Sequence, residues 1–155
     1  MTQVLSKALI GLSTALVLGM GAVHLIQTKA AAGQNVGLLQ NDPRTIDTGQ
    51  KIYADNCASC HGQNLEGEPN WRSPKADLTM PAPPHDDTGH TWHHSDEVLF
   101  KLTKYGLAAY LKQPDYKSNM PAYEDVLTDD EINAVLSFIK SRWSPEMREH
   151  QGNLK

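Results

Sequence analysis

The stretch CASCH, residues 57–61, decides the fold of this chain of 155 residues. Cys57 and Cys60 are separated by two residues, and His61 follows directly. This spacing is typical of covalent haem attachment, in which each thiol adds to one vinyl group of the haem. The adjacent imidazole then becomes the proximal ligand, because neutral imidazole binds haem iron well. We therefore expect one haem c, bound through Cys57 and Cys60 and coordinated by His61.

Three other chemistries use paired cysteines at this spacing. A thioredoxin-like redox motif would need a βαβ context, which the sequence does not show. A zinc site would need more ligands, yet the next histidine, His85, lies outside the usual finger spacing and no second cysteine pair exists. A disulfide that closed so short a loop would add little stability. Haem attachment is the interpretation that fits the motif best.

Composition and the N-terminus bound the class of protein. The formal net charge is −4 and the basic residues form no run, which argues against a nucleic-acid partner. Residues 8–26 (ALIGLSTALVLGMGAVHLI) carry no charged side chain, and as a helix they would span about 28 Å, close to the thickness of a bilayer core. We predict an uncleaved membrane anchor, which the length favours, or a signal peptide cleaved near residues 30–32. Both place the remaining chain on the periplasmic side of the inner membrane or free in the periplasm.

The chain divides into four predicted parts. These are an anchor or signal peptide at 1–29, a small and polar linker at 30–43, a folded domain at 44–145 and a C-terminal tail at 146–155. Within the domain, apolar periodicity and capping residues predict helices over 44–61, from Ser95 to Gly106, and from Thr128 to just before Pro145. No strand pattern of comparable length occurs, so we predict an all-α domain.

Residues 62–84 are rich in glycine and proline and are predicted to form a long loop. A loop of this length inside a compact domain usually has a functional reason, and wrapping a haem supplies one. Gly49 lies in the middle of the first predicted helix, where glycine is unfavourable. It either marks a close helix crossing or lies at the surface.

With these features the chain resembles the class I cytochrome c family, and within it a bacterial, membrane-associated monohaem subgroup. The matching residues are Gly49 and Tyr53 on the first helix, the haem motif through Gly62, the segment Met120–Tyr123, and an apolar closing helix. The resemblance covers roughly residues 44–145. It implies the cytochrome c fold, a few helices and long loops around one covalent haem c, with the first and last helices crossing beside it. Phe138 or Trp143 would be the aromatic residue near that crossing.

The resemblance also implies further cofactor-binding residues. The distal ligand comes from the loop before the last helix, which favours Met120 over Met80, although both precede proline and alanine. Pro69, with Pro74 as a nearby alternative, would accept a hydrogen bond from the proximal imidazole through its carbonyl oxygen, and such a bond orients the ring. The indole N–H of Trp92 could reach a haem propionate or simply pack.

Four histidines, His85, His90, His93 and His94, fall within ten residues of one another. Any of them could replace methionine as the distal ligand, which would lower the reduction potential. Two or three could hold copper or zinc. Alternatively they are polar loop residues, some of them hydrogen-bonded to propionates or to the backbone.

The function implied is that of a one-electron carrier and not of an enzyme. Iron ligated by His61 and Met120 has no open position for a substrate. Expected partners are a quinol-oxidising complex, a dehydrogenase or a terminal oxidase, together with the membrane if the N-terminal helix is retained. The alternative is a haem-based sensor or haem enzyme with a labile sixth ligand.

Overall fold

The computed structural model describes residues 41–154, and every regular element within them is helical. The α-helices are α1 (Pro43–Asn56), α2 (Ala58–His61), α3 (Asp96–Tyr110), α4 (Asp129–Ser141) and α5 (Pro145–Gly152), and a 3₁₀ helix covers Thr91–His93. The predicted all-α fold is confirmed. The predicted anchor or signal peptide at 1–29 lies outside the described residues. Within 41–154, no helix is both long enough and apolar enough to cross a membrane.

The first predicted helix is two helices that meet at the haem motif. Asp42 caps α1 by accepting a hydrogen bond from the backbone N–H of Thr45 at 3.1 Å, and Pro43 occupies the first turn, where its missing N–H does no harm. At Cys57 the regular helix is interrupted: φ is −118° and ψ is −37°, distorted but still within the right-handed helical region. The single turn of α2 follows and carries the motif to its histidine.

Helices α1 and α4 cross in close contact at Gly49. A Cβ atom at this position would lie 2.0 Å from the carbonyl oxygen of Ala134 and 2.9 Å from Cβ of Phe138. Only glycine permits this approach, so the close crossing predicted as one possibility is confirmed. Phe138, and not Trp143, is the aromatic residue at the crossing. Its ring centroid lies 5.4 Å from that of Tyr53, also in the core.

Helix α3 begins as predicted and is interrupted at Gly106. The Ser95 hydroxyl accepts a hydrogen bond from the N–H of Val98, and Asp96 and Glu97 follow at the positive end of the helix dipole. Gly106 has φ of 77°, a conformation that disfavours other residues. The regular helix stops there, and one further turn continues to Tyr110.

The last two helices close the domain. Thr128 and Glu131 form the predicted capping box of α4, and the helix buries an apolar face around Ile132. The sequence predicted a tail after residue 145, but the structure places helix α5 there, capped by Ser144. The sequence of α5 has no apolar stripe to reveal it. Several contacts attach it: Met147 packs against the core, and Gln151, which is 2% exposed, donates a hydrogen bond to the carbonyl oxygen of His94.

Candidate haem-attachment site

The two cysteines lie at the junction of α1 and α2. The Cys57 carbonyl oxygen accepts hydrogen bonds from the N–H groups of Cys60 at 3.1 Å and His61 at 2.9 Å, so the motif forms one compact turn. Cys57 is half-buried, Cys60 is exposed, and both are free thiols. Burial raises the pKa of the Cys57 thiol to about 11. Before any covalent attachment, this residue is therefore a neutral thiol at physiological pH.

The imidazole of His61 is buried and held in one orientation. Its Nδ1 lies 2.8 Å from the carbonyl oxygen of Pro83. A carbonyl can only accept, so Nδ1 carries the proton and Nε2 keeps its lone pair for a metal. Burial lowers the pKa of His61, against the opposing effect of the Pro83 carbonyl, and this favours the neutral ring. The geometry is that of a ligand with its tautomer fixed in advance.

This hydrogen bond corrects the sequence analysis, which assigned the acceptor carbonyl to Pro69. The chain turns at Gly67, whose φ is 69° and whose N–H donates to the His61 carbonyl oxygen. Glu68 then pairs with Ala82, through its own N–H and through its carboxylate. Residues 69–81 therefore form a loop whose two ends are paired, here called the excursion. This pairing brings Pro83, just after the loop, next to the imidazole. Pro69 was assigned because it lies shortly after the haem motif in the sequence. In the structure the paired ends of the excursion place the Pro83 carbonyl, and not that of Pro69, against the ring.

His85 lies beside the proximal ring and not opposite to it. Its ring stacks on that of His61 with centroids 3.9 Å apart and planes inclined by 19°. Two ligands on opposite faces of a haem point their nitrogen edges at each other across the iron, so stacked rings are incompatible with that role. The Oγ1 of Thr91 contacts Nδ1 of His85 at 2.8 Å, and the Trp143 indole donates to its carbonyl oxygen at 2.8 Å. We infer that His85 supports the proximal imidazole.

The loop between α3 and α4 carries Met120. Its thioether side chain is half-buried and packs against the core, whereas Met80 is 42% exposed and lines an open groove with Leu78. Tyr123 fixes the loop, because its hydroxyl donates to the carbonyl oxygen of Asn56 at 2.7 Å. Asn56 immediately precedes the haem motif. The structure thus attaches the Met120 loop to the end of α1 that carries the cysteines, a link that the sequence alone did not suggest.

The 3₁₀ helix places Trp92 at the edge of the core. The indole stacks on His93 with ring centroids 3.7 Å apart, and its Nε1 is buried with no hydrogen-bond partner in the described part of the chain. A buried N–H donor without an acceptor is unfavourable by about 1–3 kcal/mol. A carboxylate acceptor would relieve this cost, although the protein covers the atom, and the predicted propionate contact stays a prediction.

The remaining histidines separate into aromatic stacks. His90 stacks on Trp71 with ring centroids 5.2 Å apart, and the guanidinium carbon of Arg72 lies 4.0 Å from the centroid of the same Trp71 ring. His94 meets His90 edge-on. Over residues 41–154, no three His, Cys, Asp or Glu side chains are grouped closely enough to hold a metal ion. The described residues therefore give no support to a second metal site in this segment.

These donors fit a covalently bound haem. Two thiols are available at the motif, the neighbouring imidazole presents a free Nε2, and one half-buried thioether lies on a loop tied to the same helix end. The free Trp92 N–H adds a donor for a carboxylate. Pro83 and Tyr123 are the functional residues that sequence reasoning missed, although Pro83-Pro84 directly before His85 is a rigid segment that could have indicated the first of them.

Comparison with known proteins gives a consistent result. The family model described as cytochrome c matches residues 46–143. A cbb3-type cytochrome c oxidase subunit FixP from Rhizobium meliloti (strain 1021) is 24% identical over 119 residues, which cover 76% of this chain and 35% of the relative. The FixP subunit of Sinorhizobium medicae (strain WSM419) is 24% identical over 117 residues, 75% of this chain and 34% of the relative. The chain thus spans about a third of the length of these relatives. No solved structure matches it significantly.

Proposed function

Because this chain belongs to the cytochrome c family, we propose that it is an exported monohaem electron carrier whose iron is ligated by His61 and Met120. Family membership itself implies a covalent haem c and electron transfer. The observation that carries the proposal is the hydrogen bond from His61 Nδ1 to the Pro83 carbonyl, directly beside the two free thiols. It prepares one nitrogen, and only one, to bind iron.

Each residue contributes a distinct part of this function. Cys57 and Cys60 would hold the haem through thioether bonds, and His61 and Met120 would be the axial ligands. When bound, the haem supplies the one-electron change of its iron. The chain excludes water around the proximal ring, orients that ring through Pro83 and His85, and restrains the Met120 loop. A sixth ligand leaves no open position, which is why we propose a carrier and not an enzyme.

We further propose that the carrier works at the periplasmic face of the inner membrane, anchored or released according to the fate of residues 1–29. The partner would be a terminal oxidase, a quinol-oxidising complex or a dehydrogenase. Support for an oxidase comes from the relatives, which are named as oxidase subunits. Contacts between carriers and their partners are generally small and transient.

The axial ligand can be tested by comparing the variants Met120→Ala and Met80→Ala. We expect the oxidised Met120→Ala protein to lose the Met–iron charge-transfer absorption band. The reduced variant should also bind carbon monoxide rapidly, because one iron position opens. The Met80→Ala variant is the control, since its exposed side chain leaves iron ligation unchanged.

Loss of the band in Met80→Ala alone would overturn the assignment. Rapid binding of carbon monoxide by the reduced wild-type protein would instead favour the alternative, a haem-based sensor or haem enzyme with a labile sixth ligand.

A further inference from the structure

The chain contains the triplet Met-Pro-Ala twice, and the two loops that carry it are joined. The side-chain Nδ2 of Asn119 donates a hydrogen bond to Oγ1 of Thr79 at 3.2 Å. Asn119 immediately precedes Met120, and Thr79 immediately precedes Met80. The hydrogen bond therefore joins the residues directly before the two methionines, which are 40 positions apart in the sequence.

Thr79 is a fixed acceptor for this bond. It is 6% exposed, and both its backbone N–H and its hydroxyl donate to Oδ1 of Asp77, at 3.0 Å and 2.7 Å. Because the hydroxyl proton is engaged by Asp77, the lone pairs of Oγ1 are left to accept from Asn119. Asn119 therefore donates to Thr79, and Thr79 in turn donates to Asp77, so each group in the series has a donor or acceptor that matches its neighbour.

The loop that presents Thr79 is itself clamped. The Thr79 carbonyl oxygen accepts from the N–H of Lys75 at 2.8 Å. The carboxylate of Glu68 accepts from the Lys75 ammonium at 2.9 Å and from the N–H of Ala82 at 2.6 Å. This is the same excursion whose closure brings Pro83 to the proximal imidazole. A continuously hydrogen-bonded segment thus reaches from the His61 side of the site to the Met120 loop.

The Met120 loop is anchored on both sides of the methionine. Tyr123 holds it downstream, through its hydroxyl on Asn56 and its N–H on the Thr103 and Lys104 carbonyl oxygens at 3.1 Å. Asn119 holds it upstream, through Thr79. The hydrogen bonds of Ser118 to the Met120 backbone are local and connect the loop only to itself. The exposed Lys117 ammonium also donates to the Asp77 carbonyl oxygen at 3.5 Å, a longer contact between the same two loops. Tyr123 therefore holds the Met120 loop downstream, and Asn119, next to the methionine, is its shorter link upstream.

We propose that the Thr79–Asn119 hydrogen bond positions Met120 as the distal ligand and sets how readily it leaves the iron. This inference rests on the proposed ligation by Met120. Thr79 and Asn119 are positioning residues, since they act through the loop and not on the iron. The excursion would thereby couple the two axial ligands, fixing His61 through Pro83 and Met120 through Thr79.

The test uses the full-length haem-loaded protein with Thr79→Val, which keeps the shape of threonine and removes the hydroxyl, and Thr79→Ser, which keeps the hydroxyl. A second variant, Asn119→Ala, removes the donor without touching Asp77. The measured quantities are the Met–iron charge-transfer band of the oxidised protein and the rate at which the reduced protein binds carbon monoxide.

We expect Thr79→Val and Asn119→Ala each to weaken the band and to raise the rate by about five- to tenfold, the equivalent of one lost hydrogen bond. Thr79→Ser should match the wild type. The double variant should change the rate no more than either single variant, because both remove the same bond.

Equal behaviour of Thr79→Val and Thr79→Ser would overturn the proposal, as would additive effects in the double variant. An effect of Thr79→Val with none of Asn119→Ala would assign the change to Asp77 and also overturn it. If Met120→Ala keeps the band, ligation and positioning fail together. If Met120→Ala loses the band but the Asn119 variant matches the wild type, only the positioning role fails.

Discussion

The imidazole of His61 is oriented by neutral, uncharged groups. The Pro83 carbonyl fixes its tautomer, and the face of His85 limits its rotation. A carboxylate in place of the carbonyl would draw the proton more strongly and make the ring more basic. A carbonyl acceptor therefore leaves the imidazole less basic than a carboxylate would, and the basicity of this ligand influences the reduction potential of the bound iron.

Tyr123 provides a prediction at the scale of one residue. Replacing it by phenylalanine removes the hydroxyl and leaves the Asn56 carbonyl without its partner. We expect the free energy of unfolding to fall by about 1–2 kcal/mol. Denaturant unfolding of the haem-loaded protein measures this value, and an unchanged midpoint would show that the hydroxyl does not hold the loop.

The pH dependence of the same variant gives a second readout. Burial raises the pKa of Tyr123 from 10.0 to about 12. The folded state therefore favours the neutral phenol, and this contribution is present below pH 10.0 and is lost as pH rises towards 12. The gap in stability between wild type and Tyr123→Phe should narrow over that interval; a constant gap would contradict the assignment.

For single residues, the sequence predicted which side chains would bind the haem but not the hydrogen bonds that orient them. Cys57, Cys60 and His61 follow from a local motif whose spacing is dictated by the haem. The Pro83-Pro84 pair marked a rigid segment, but its place beside His61 depends on the Glu68–Ala82 pairing, which the sequence does not show. The assignment of Met120 and the role of Trp92 stay predictions.

Among the elements, the crossing of α1 and α4 carries the greatest steric constraint. Gly49→Ala would place a methyl group 2.0 Å from the Ala134 carbonyl oxygen. Since backbone and not a flexible side chain occupies the space, the helices must separate. We expect a loss of about 1–3 kcal/mol in the free energy of unfolding, despite the better helix propensity of alanine.

Gly152 is the matched control for this prediction. It lies at the end of α5, and a Cβ atom there would have nothing within 4 Å. The variant Gly152→Ala should change stability by no more than about 0.5 kcal/mol. Denaturant midpoints of the two variants decide the matter, and equal midpoints would mean that the crossing is able to relax.

Helices with apolar periodicity were predicted, and helix α5, which lacks it, was not. The capping box at Thr128 and the periodic apolar residues of α4 indicate that helix directly, and the structure confirms it. Helix α5 has no apolar periodicity. Its start signal, Ser144 followed by Pro145, was interpreted as the end of α4, and contacts of Gln151 and Ser144 with distant residues help to hold it in place. The break at Cys57 was also missed, since apolar periodicity continues through it.

For the whole molecule, the haem is expected to be part of the core. Residues 62–90 contain no helix, and we expect a bound haem to add to the hydrogen bonds that hold them. We expect the chain produced without haem attachment to lose cooperative thermal unfolding, as followed by circular dichroism. The haem-loaded protein is the reference. A sharp, native-like transition in the haem-free chain would show that the protein core suffices alone.

The crossing at Gly49 also orders events in time. Helix α1 and the CASCH motif leave the ribosome before α4 exists, and the two are separated by about 70 residues, or several seconds of synthesis at about 5–20 residues per second. During this interval the thiols cannot be enclosed by the finished fold, because the helix that packs across α1 is still missing. The α1–α4 crossing can thus form only after α4 is made, and until then Cys57, half-buried in the finished fold, is more open to attachment.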